Sequence, residues 1–255
     1  MNELTVILPA FNEEASLELL VKEWKKYEDI LENEYYLMLK ILIVNDGSTD
    51  KTKEVGKRLE AKYRNVKLIS HFVNKGLGQA VKTGIDYVLI NRPLTSYVCI
   101  MDCDNTHDPK YVLNMIKVQK QTKADVVIAS RYQKHAEVTG LTAFRRFTSL
   151  AAKEIFSTLL EVEGVRDYTC GYRLYKKSIL DKLRSNFHEK IIEESGFTCM
   201  VELLYKLYIS GACFAEVPFE LKYGNKQGKS KMKVIKTSVN SLKLAFRLKN
   251  LRFSN

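Results

Sequence analysis

The sequence lacks the cysteine patterns of disulfide-rich and zinc-binding proteins. Its 255 residues include five cysteines, an odd number, and no two of them are separated by only two residues. This usage is typical of reduced thiols in a cytoplasmic protein. The N-terminus shows no charged region followed by an apolar region and a cleavage site, so we expect a cytoplasmic chain.

Long hydrophobic runs and interdomain linkers are absent as well. Apolar stretches such as residues 126–129 are far shorter than the roughly 20 residues that span a bilayer. No proline- or serine-rich segment divides the chain, and its length suffices for one large domain with a buried core. We expect this domain over residues 1–230, with a nucleotide half at about 1–131 and an acceptor half at about 132–230.

Acidic residues are missing from the last part of the chain. Residues 222–255 contain no Asp or Glu, and the whole chain carries a formal net charge of +11. An anionic membrane surface, a phosphorylated substrate, nucleic acid or a solvated lysine-rich surface would each account for this excess.

Residues 231–255 interleave basic and apolar residues, and helical spacing places Ile235, Val239, Leu242 and Phe246 on one stripe. This basic amphipathic segment is consistent with a helix at a membrane interface. A helix packed on the core of the domain would show the same pattern.

Short apolar runs alternate with helix-like stretches in the first half of the chain. Strands are predicted for residues 5–8, 40–44, 67–70, 97–101 and 126–129, and helices for 13–27, 50–63, 77–90 and 109–121. Further helices are predicted at 143–160, 196–210 and 231–247, with a strand-like piece within 214–223. The alternation predicts an α/β fold with a mostly parallel sheet flanked by helices.

Two common phosphate-binding motifs are absent: the Gly-x-Gly-x-x-Gly turn and the Gly-x-x-x-x-Gly-Lys-[Ser/Thr] loop. Polar residues instead follow the predicted strands, namely Asn12, Asp46, Asp102 and Arg131. We expect them to converge, because ligands bind at the carboxyl ends of parallel strands. Asp46 would accept hydrogen bonds from a base or ribose, although residues 46–50 (DGSTD) are also an adequate strand-to-helix turn.

Asp102 and Asp104 form a candidate metal site. In extended chain, residues i and i+2 share a face and lie roughly 6.6 Å apart, so both carboxylates could reach one divalent ion. Mg²⁺ and Mn²⁺ prefer such oxygen ligands and take others from phosphate and water. A surface turn before Pro109 is the alternative for this stretch.

Seven short motifs occur in the order seen in family 2 glycosyltransferases of the GT-A fold. They are PAFNE at 9–13, NDGSTD at 45–50, NKGLG at 74–78, DCD at 102–104, SR at 130–131, RDYTCGYR at 166–173 and GKSK at 228–231. The last two resemble the branch that contains dolichyl-phosphate mannosyltransferases and polyprenyl-phosphate sugar transferases. The resemblance spans roughly residues 4 to 233.

This resemblance implies a GT-A, Rossmann-like fold and an inverting, metal-dependent hexosyltransferase. The enzyme would move a sugar from GDP-mannose or a UDP-hexose to polyprenyl or dolichyl phosphate. Contacts to the nucleotide sugar are implied for Pro9, Phe11, Glu13, Val44, Asp46, Lys75, Cys103, Lys226 and Lys231.

The resemblance also implies which residues carry the reaction. Asp102, Asp104 and Arg131 would be catalytic and contact the nucleotide sugar, with Mg²⁺ or Mn²⁺ on the two aspartates. Arg131, Cys170 and Arg173 would bind the acceptor phosphate, and residues 228–231 would belong to a mobile loop that closes over the diphosphate.

Two positions depart from the family pattern. Thr106 stands where the mannosyltransferases often have a metal-binding Gln, and threonine is a poorer ligand. Asn225 stands where a basic residue is usual, with Lys226 beside it.

The acceptor remains open at the level of sequence. A phosphate acceptor is already ionised and needs no strong base, whereas a hydroxyl of a glycan, lipid or protein would need a carboxylate. Glu193 and Glu194 occupy a region where some family members place such a base, but an exposed acidic loop fits them as well. We expect a protein peripheral to the cytoplasmic membrane face and no nucleic-acid partner, because no aromatic-basic recognition motif is present.

Overall fold

The computed structural model describes residues 1–140, 143–222 and 234–251 of the chain. The strands are β1 (Asn2–Ala10), β2 (Leu37–Asn45), β3 (Val66–Ser70), β4 (Thr95–Ile100), β5 (Val126–Ser130), β6 (Glu137–Thr139), β7 (Arg173–Lys176), β8 (Phe214–Pro218) and β9 (Glu220–Lys222). The helices are α1 (Leu17–Lys25), α2 (Glu28–Tyr35), α3 (Thr52–Lys62), α4 (Leu77–Asn91), α5 (Tyr111–Thr122), α6 (Ala143–Leu160), α7 (Lys177–Phe187), α8 (Cys199–Ile209) and α9 (Val234–Leu251). A short 3-10 turn, His188–Lys190, follows α7.

Within these residues, seven strands form the main sheet in the order β3-β2-β1-β4-β7-β5-β8. β1 is parallel to β2 and β4, β2 is parallel to β3, and β5 is parallel to β8. β7 runs antiparallel between β4 and β5. The prediction of a mostly parallel α/β sheet flanked by helices is confirmed, and strands from both halves of the chain share one sheet.

The central strands are apolar on both faces because helices cover both. In β1 every residue after Asn2 is buried, as are the last five residues of β2. Such near-continuous burial is the usual pattern of parallel strands in α/β folds. On α1, Leu17, Leu20, Val21 and Trp24 are buried, which confirms the helical spacing predicted for this face.

The predicted helix at 13–27 is wrong at its start. α1 begins only at Leu17, because the residues after β1 form a loop in which Asn12 has a φ of 54°. Its backbone N–H donates to the hydroxyl of Ser48 over 3.0 Å, and that of Glu13 donates to Thr52 over 2.8 Å. These contacts hold residues 12 and 13 in the loop, and a turn in which the carbonyl of Glu13 accepts from the backbone N–H groups of Ser16 and Leu17 leads into α1.

Several elements were not predicted from the sequence. α2, β6, β7 and α7 have no predicted counterpart, and the strand-like piece at 214–223 is divided into β8 and β9. β7 has only four residues, too few for a period to be visible, and pairing with β4 and β5 defines it. Tertiary contacts decide such short strands more than local preference does.

The C-terminal helix α9 packs against α6 and α8. Leu244, Ala245 and Leu248 are buried there, whereas 43% of Leu242 and 55% of Phe246 remain exposed. One face of α9 therefore packs on the domain, and Leu242 and Phe246 of the predicted stripe lie outside that face. The side chains of Ile235 and Val239 lie outside the part of the chain that the structure describes. Among the residues that the structure describes, no helix is both long and apolar enough to span a membrane.

Helix α4 crosses β1 at Gly84, and this contact has no room for a side chain. A Cβ at position 84 would lie 2.5 Å from Cγ2 of Ile7 in β1. We expect Gly84→Val to lower the free energy of unfolding by about 1–3 kcal/mol, since overpacking forces a well-packed core to shift. Urea denaturation followed by circular dichroism measures this change.

Gly196→Val is the matched control, because nothing lies within 4 Å of a Cβ at that position. It should change the free energy of unfolding by less than about 0.5 kcal/mol. Equal stability of the two variants would contradict the close packing of α4 on β1.

Candidate active site

The carboxyl ends of the parallel strands bring distant segments of the chain to one edge of the sheet. Ala10 lies opposite Asn45, Asn45 lies opposite Ser70, and Ile7 lies opposite Ile100. The loops that follow β1, β2, β3 and β4 therefore start side by side. This is the edge at which α/β proteins bind ligands.

The loops after β1 and β2 hold each other through polar contacts. The side-chain oxygen of Asn12 accepts from the backbone N–H of Thr49 over 2.8 Å, and Glu14 accepts from that of Lys51 over 2.8 Å. Phe11 and Glu13 are partly exposed at this place. The DGSTD motif thus builds the connection that the sequence analysis recognised and also shapes the loop after β1.

Pro9 and Val44 lie opposite each other near the ends of β1 and β2, and both are buried. The side chain of Val44 has no exposed surface. A contact of Val44 with the nucleotide sugar stays a prediction, and only its backbone could make it. Its side chain packs beneath the site because the sheet is covered on both faces.

Asp46 is buried and anchors the loop after β3. One carboxylate oxygen accepts from the backbone N–H of Lys75 over 2.9 Å and lies 2.6 Å from Nδ1 of His71. The other accepts from the backbone N–H of Gly76 over 2.8 Å and from the amide of Asn74 over 3.0 Å.

Four donors saturate a carboxylate, which offers about four acceptor sites. The expectation that Asp46 accepts hydrogen bonds from a base or ribose is therefore not supported. Its oxygens organise the loop instead, and the other ring nitrogen of His71 lies 2.9 Å from the hydroxyl of Thr83. Sequence reasoning missed the role of His71, which shows no ligand spacing.

The same loop is packed against a segment from the second half of the chain. Gly76, with a φ of 91°, lies against the carbonyl of Ser195, and Gly78 lies against that of Glu194. The backbone N–H of Gly78 donates to the carbonyl of Ser195 over 3.0 Å. Any side chain at either glycine would collide with these carbonyls, which is a physical reason for the glycines of the NKGLG motif.

Asp102 and Asp104 follow β4, partly exposed at the same edge, with the buried Cys103 between them. One oxygen of Asp104 accepts from the backbone N–H of Thr106 over 3.2 Å and from its hydroxyl over 2.6 Å. A Cβ at Gly171 would lie 3.0 Å from an oxygen of Asp102, so the second half of the chain closes over this carboxylate.

The donor set fits a hard divalent ion that takes its remaining ligands from substrate. Over the described residues, no group of three or more His, Cys, Asp or Glu side chains is arranged to hold a metal. Mg²⁺ is commonly bound through one or two carboxylates together with substrate phosphates and water. Asp102 and Asp104 are the residues that would hold such an ion.

His107 is buried beside these carboxylates, between the rings of Tyr172 and Phe219. Burial lowers the pKa of His107, although the negative charges of Asp102 and Asp104 act in the opposite direction. The ring is therefore neutral at pH 7. In the described part of the chain, its Nδ1 has no hydrogen-bond partner.

Arg131 follows β5 and forms a bidentate ion pair with the fully buried Asp167. Its Nε donates to one oxygen of Asp167 over 2.8 Å, and its Nη2 donates to the other over 2.6 Å. Burial alone would raise the pKa of Asp167, but the charge and hydrogen bonds of Arg131 hold it below the ordinary value. Sequence reasoning gave Asp167 no role, although it lies in the RDYTCGYR motif.

Arg173 does not occupy the position that the resemblance implied. Its guanidinium is fully buried and donates to the backbone carbonyls of Met200 and Tyr168, both over 2.7 Å. The side chain therefore presents no surface to a phosphate, because it joins β7 to α8 inside the domain. The expectation that Arg173 binds the acceptor phosphate is not supported.

Cys170 is buried near Arg131, and burial raises the pKa of its thiol to about 12. The thiol is protonated at pH 7, and the backbone N–H of Cys170 donates to Asp167 over 3.0 Å. Lys226 and Lys231 lie outside the residues that the structure describes. Lys75 is exposed on the anchored loop after β3.

Glu193 and Glu194 belong to an ionic cluster that joins α8 to the C-terminal helix. Glu194 lies 3.0 Å from Arg247 of α9 and accepts from the hydroxyl of Thr198 over 2.6 Å. Glu193 lies 3.0 Å from the ammonium of Lys206. Burial alone would raise the pKa of Glu193, but its hydrogen bond to Lys206 and the charge of Lys206 lower it on balance.

Comparisons with known proteins all point to glycosyltransferases. Glycosyl transferase family 2 matches residues 5–184. The dolichyl-phosphate beta-glucosyltransferase of Trichomonas vaginalis is 31% identical over 250 residues, which cover 95% of this chain and 72% of that protein. The dolichol-phosphate mannosyltransferase of Pyrococcus furiosus is 28% identical over 232 residues, which cover 91% of this chain and 59% of that protein.

Solved structures support the fold alone, since their identities are low. TarS 1–349 of S. aureus in complex with UDP-GlcNAc has a TM-score of 0.62 and 15% identity, with 99% of this chain and 67% of that chain covered. The mannosyltransferase of Pyrobaculum calidifontis in complex with GDP-Man and Mn²⁺ has a TM-score of 0.55 and 15% identity, with 98% and 73% covered. The fold is that of GT-A glycosyltransferases, and the match over residues 5–184 together with the Trichomonas relative shows that this chain is a glycosyltransferase of family 2.

Proposed function

We propose that this glycosyltransferase is metal-dependent and inverting, and moves a hexose from a nucleotide sugar to a polyprenyl or dolichyl phosphate. The observation that carries the proposal is the convergence of Asp102, Asp104 and the Asp167-bound Arg131 on one partly exposed edge of the sheet. The names of the relatives from Trichomonas and Pyrococcus support the lipid-phosphate acceptor.

The donor would lie along the loops after β1, β2 and β3. Phe11, Glu13 and Lys75 are partly or fully exposed there, and Pro9 supports them from the end of β1. Lys226 and Lys231 are proposed to meet the diphosphate from the second half of the chain. GDP-mannose and the UDP-hexoses are the candidate donors.

The proposed reaction breaks the bond between the anomeric carbon and the diphosphate oxygen of the donor. The electron pair leaves with the nucleoside diphosphate, and a phosphate oxygen of the acceptor forms the new bond from the opposite face. Mg²⁺ or Mn²⁺, when bound, would stabilise the negative charge that develops on the leaving diphosphate. Arg131 would donate hydrogen bonds to phosphate oxygens in the same site.

The acceptor phosphate needs no proton removed, because it is already ionised at neutral pH. A hydroxyl acceptor would need a carboxylate base with a raised pKa. Glu193 has a lowered pKa, and Glu194 is engaged by Arg247 and Thr198. These contacts favour the phosphate acceptor over a hydroxyl.

A lipid acceptor also requires that the protein reach a membrane surface. α9 exposes Leu242 and Phe246 beside the basic residues Lys243 and Lys249, which are also exposed. Basic residues close to an anionic surface contribute roughly 1 kcal/mol each. We propose that this face of α9 contacts the cytoplasmic membrane surface, while the opposite face packs on the domain.

Asp104→Asn tests the metal-binding role. Because the amide cannot supply the same charge to a divalent ion, we expect transfer to fall at least about 100-fold and the affinity for UDP or GDP with Mg²⁺ to weaken. Transfer is measured with labelled donor and a short-chain polyprenyl phosphate, and affinity by calorimetry. Excess EDTA should abolish transfer by the unmodified protein.

Asp108→Asn removes the same charge from the same loop and serves as the control. Asp108 is half-buried and pairs with Lys110 rather than with the residues of the candidate metal site, so transfer should change less than about twofold. Full activity of Asp104→Asn, or of the unmodified protein in EDTA, would contradict metal dependence.

Vesicle sedimentation tests the membrane contact. We expect the protein to sediment with phosphatidylserine vesicles at low salt, less so at high salt, because surface charges are screened. The double variant Leu242→Gln and Phe246→Gln should lower the bound fraction severalfold, since both side chains are exposed on α9.

Ile90→Gln is the matched control, as Ile90 is exposed near the end of α4. It should leave the bound fraction unchanged. If the unmodified protein does not sediment with these vesicles at low salt, the hydroxyl acceptor becomes the better proposal.

A further inference from the structure

Asp167 is a buried carboxylate near the candidate site, and the reaction proposed above uses it only through Arg131. It has no exposed surface. One oxygen accepts from the backbone N–H and from Nε of Arg131, over 3.0 and 2.8 Å. The other accepts from Nη2 of Arg131 over 2.6 Å and from the backbone N–H of Cys170 over 3.0 Å.

This arrangement fixes both the charge and the orientation of Arg131. Burial alone would lower the pKa of Arg131, but the carboxylate of Asp167 raises it well above its ordinary value. Nη2 also donates to the hydroxyl of Thr169 over 2.5 Å. With Nε and Nη2 bound to protein acceptors, Nη1 is the group that the described residues leave for an anion.

Asp167 is itself held in place by a second carboxylate. Glu216 of β8 accepts from the backbone N–H groups of Arg166 and Asp167, each over 2.7 Å. Its other oxygen accepts from the amide of Gln133 over 2.9 Å. The turn that carries Asp167 is therefore tied to β8 at the end of the sheet.

The same turn leads directly to the candidate metal site. Four residues after Asp167, Gly171 lies against the carboxylate of Asp102. The charges of Asp102, Asp104, Arg131 and Asp167 all influence the pKa of His107. Arg131 therefore lies near the two aspartates that would bind the metal, and the segment from Asp167 to Gly171 contacts both.

We propose that Asp167 is a positioning residue, which holds the guanidinium of Arg131 in the orientation that binds phosphate oxygens of a substrate. This inference rests on the proposed function, because it takes Arg131 to be the residue that contacts phosphate. Orientation matters since a planar guanidinium makes directional hydrogen bonds. An arginine without a fixed orientation would lose side-chain conformational entropy each time it bound a phosphate.

A double-mutant cycle with Arg131→Met, Asp167→Asn and the combined variant tests this role. An amide NH₂ at position 167 faces the donors of Arg131, so the guanidinium should lose its fixed orientation. We expect Asp167→Asn to lower kcat/KM by about 10–100-fold, the range typical of residues that orient ligands. If Asp167 acts through Arg131, the combined variant is no slower than Arg131→Met alone.

The two phosphates are distinguished by separate measurements. A rise in KM confined to the polyprenyl phosphate assigns Arg131 to the acceptor, and a rise confined to the nucleotide sugar assigns it to the donor. Calorimetry with UDP or GDP and with inorganic phosphate supplies a readout without turnover. If the unmodified protein transfers no sugar to a polyprenyl phosphate, the proposed function fails. Equal losses of anion affinity in Arg131→Met and Asp167→Asn would still support the role of Asp167.

Two further variants separate positioning from folding. Asp86→Asn removes the same charge from another Arg–Asp pair, with Arg184 on the helices α4 and α7, and should leave kcat/KM unchanged. Thr169→Val keeps the buried ion pair and removes one acceptor of Arg131, so we expect a severalfold loss of kcat/KM. This variant tests the proposal in the case that Asp167→Asn does not fold. Additive losses in the cycle, or no loss in both Asp167→Asn and Thr169→Val, would overturn the proposal.

Discussion

Parallel pairing of β1 with β2 on one side and with β4 on the other determines where the chemistry of this enzyme lies. β1 and the end of β2 are buried almost throughout, and the partly exposed polar residues of the candidate site lie in the loops that follow the strands. Because the strands run in the same direction, those loops start at one edge of the sheet. The residues around Asn12, Asp46 and Asp102 meet there, although about 90 positions separate the first from the last.

Two buried carboxylates then shape the loops at this edge. Asp46 binds the loop after β3, and Asp167 binds Arg131 after β5. A buried carboxylate is stable only when hydrogen bonds and opposite charge compensate for lost hydration. Each of these carboxylates therefore favours one arrangement of the residues around it. Both lie below the groups that would contact the substrate.

Local signals in the sequence predicted the structure best. The spacing of Leu17, Leu20, Val21 and Trp24 predicted the buried face of α1, and alternating strands and helices predicted the sheet. The sequence did not predict β7, whose four residues become a strand by pairing with β4 and β5. It also did not reveal that the side chains of Val44, Asp46 and Arg173 are buried, because burial and bonding partners depend on the whole fold.

The sequence by itself determined the family, the α/β class and the carboxylate pair at 102 and 104, because these follow from short motifs and from periodicity. Only the tertiary structure decided that Asp46 anchors a loop, that Asp167 binds Arg131 and that Arg173 is internal. Arg131 and Asp167 are 36 positions apart, and their contact arises when β7 inserts between β4 and β5. No local pattern encodes that insertion, since its free energy comes from strand pairing and burial across the two halves of the chain.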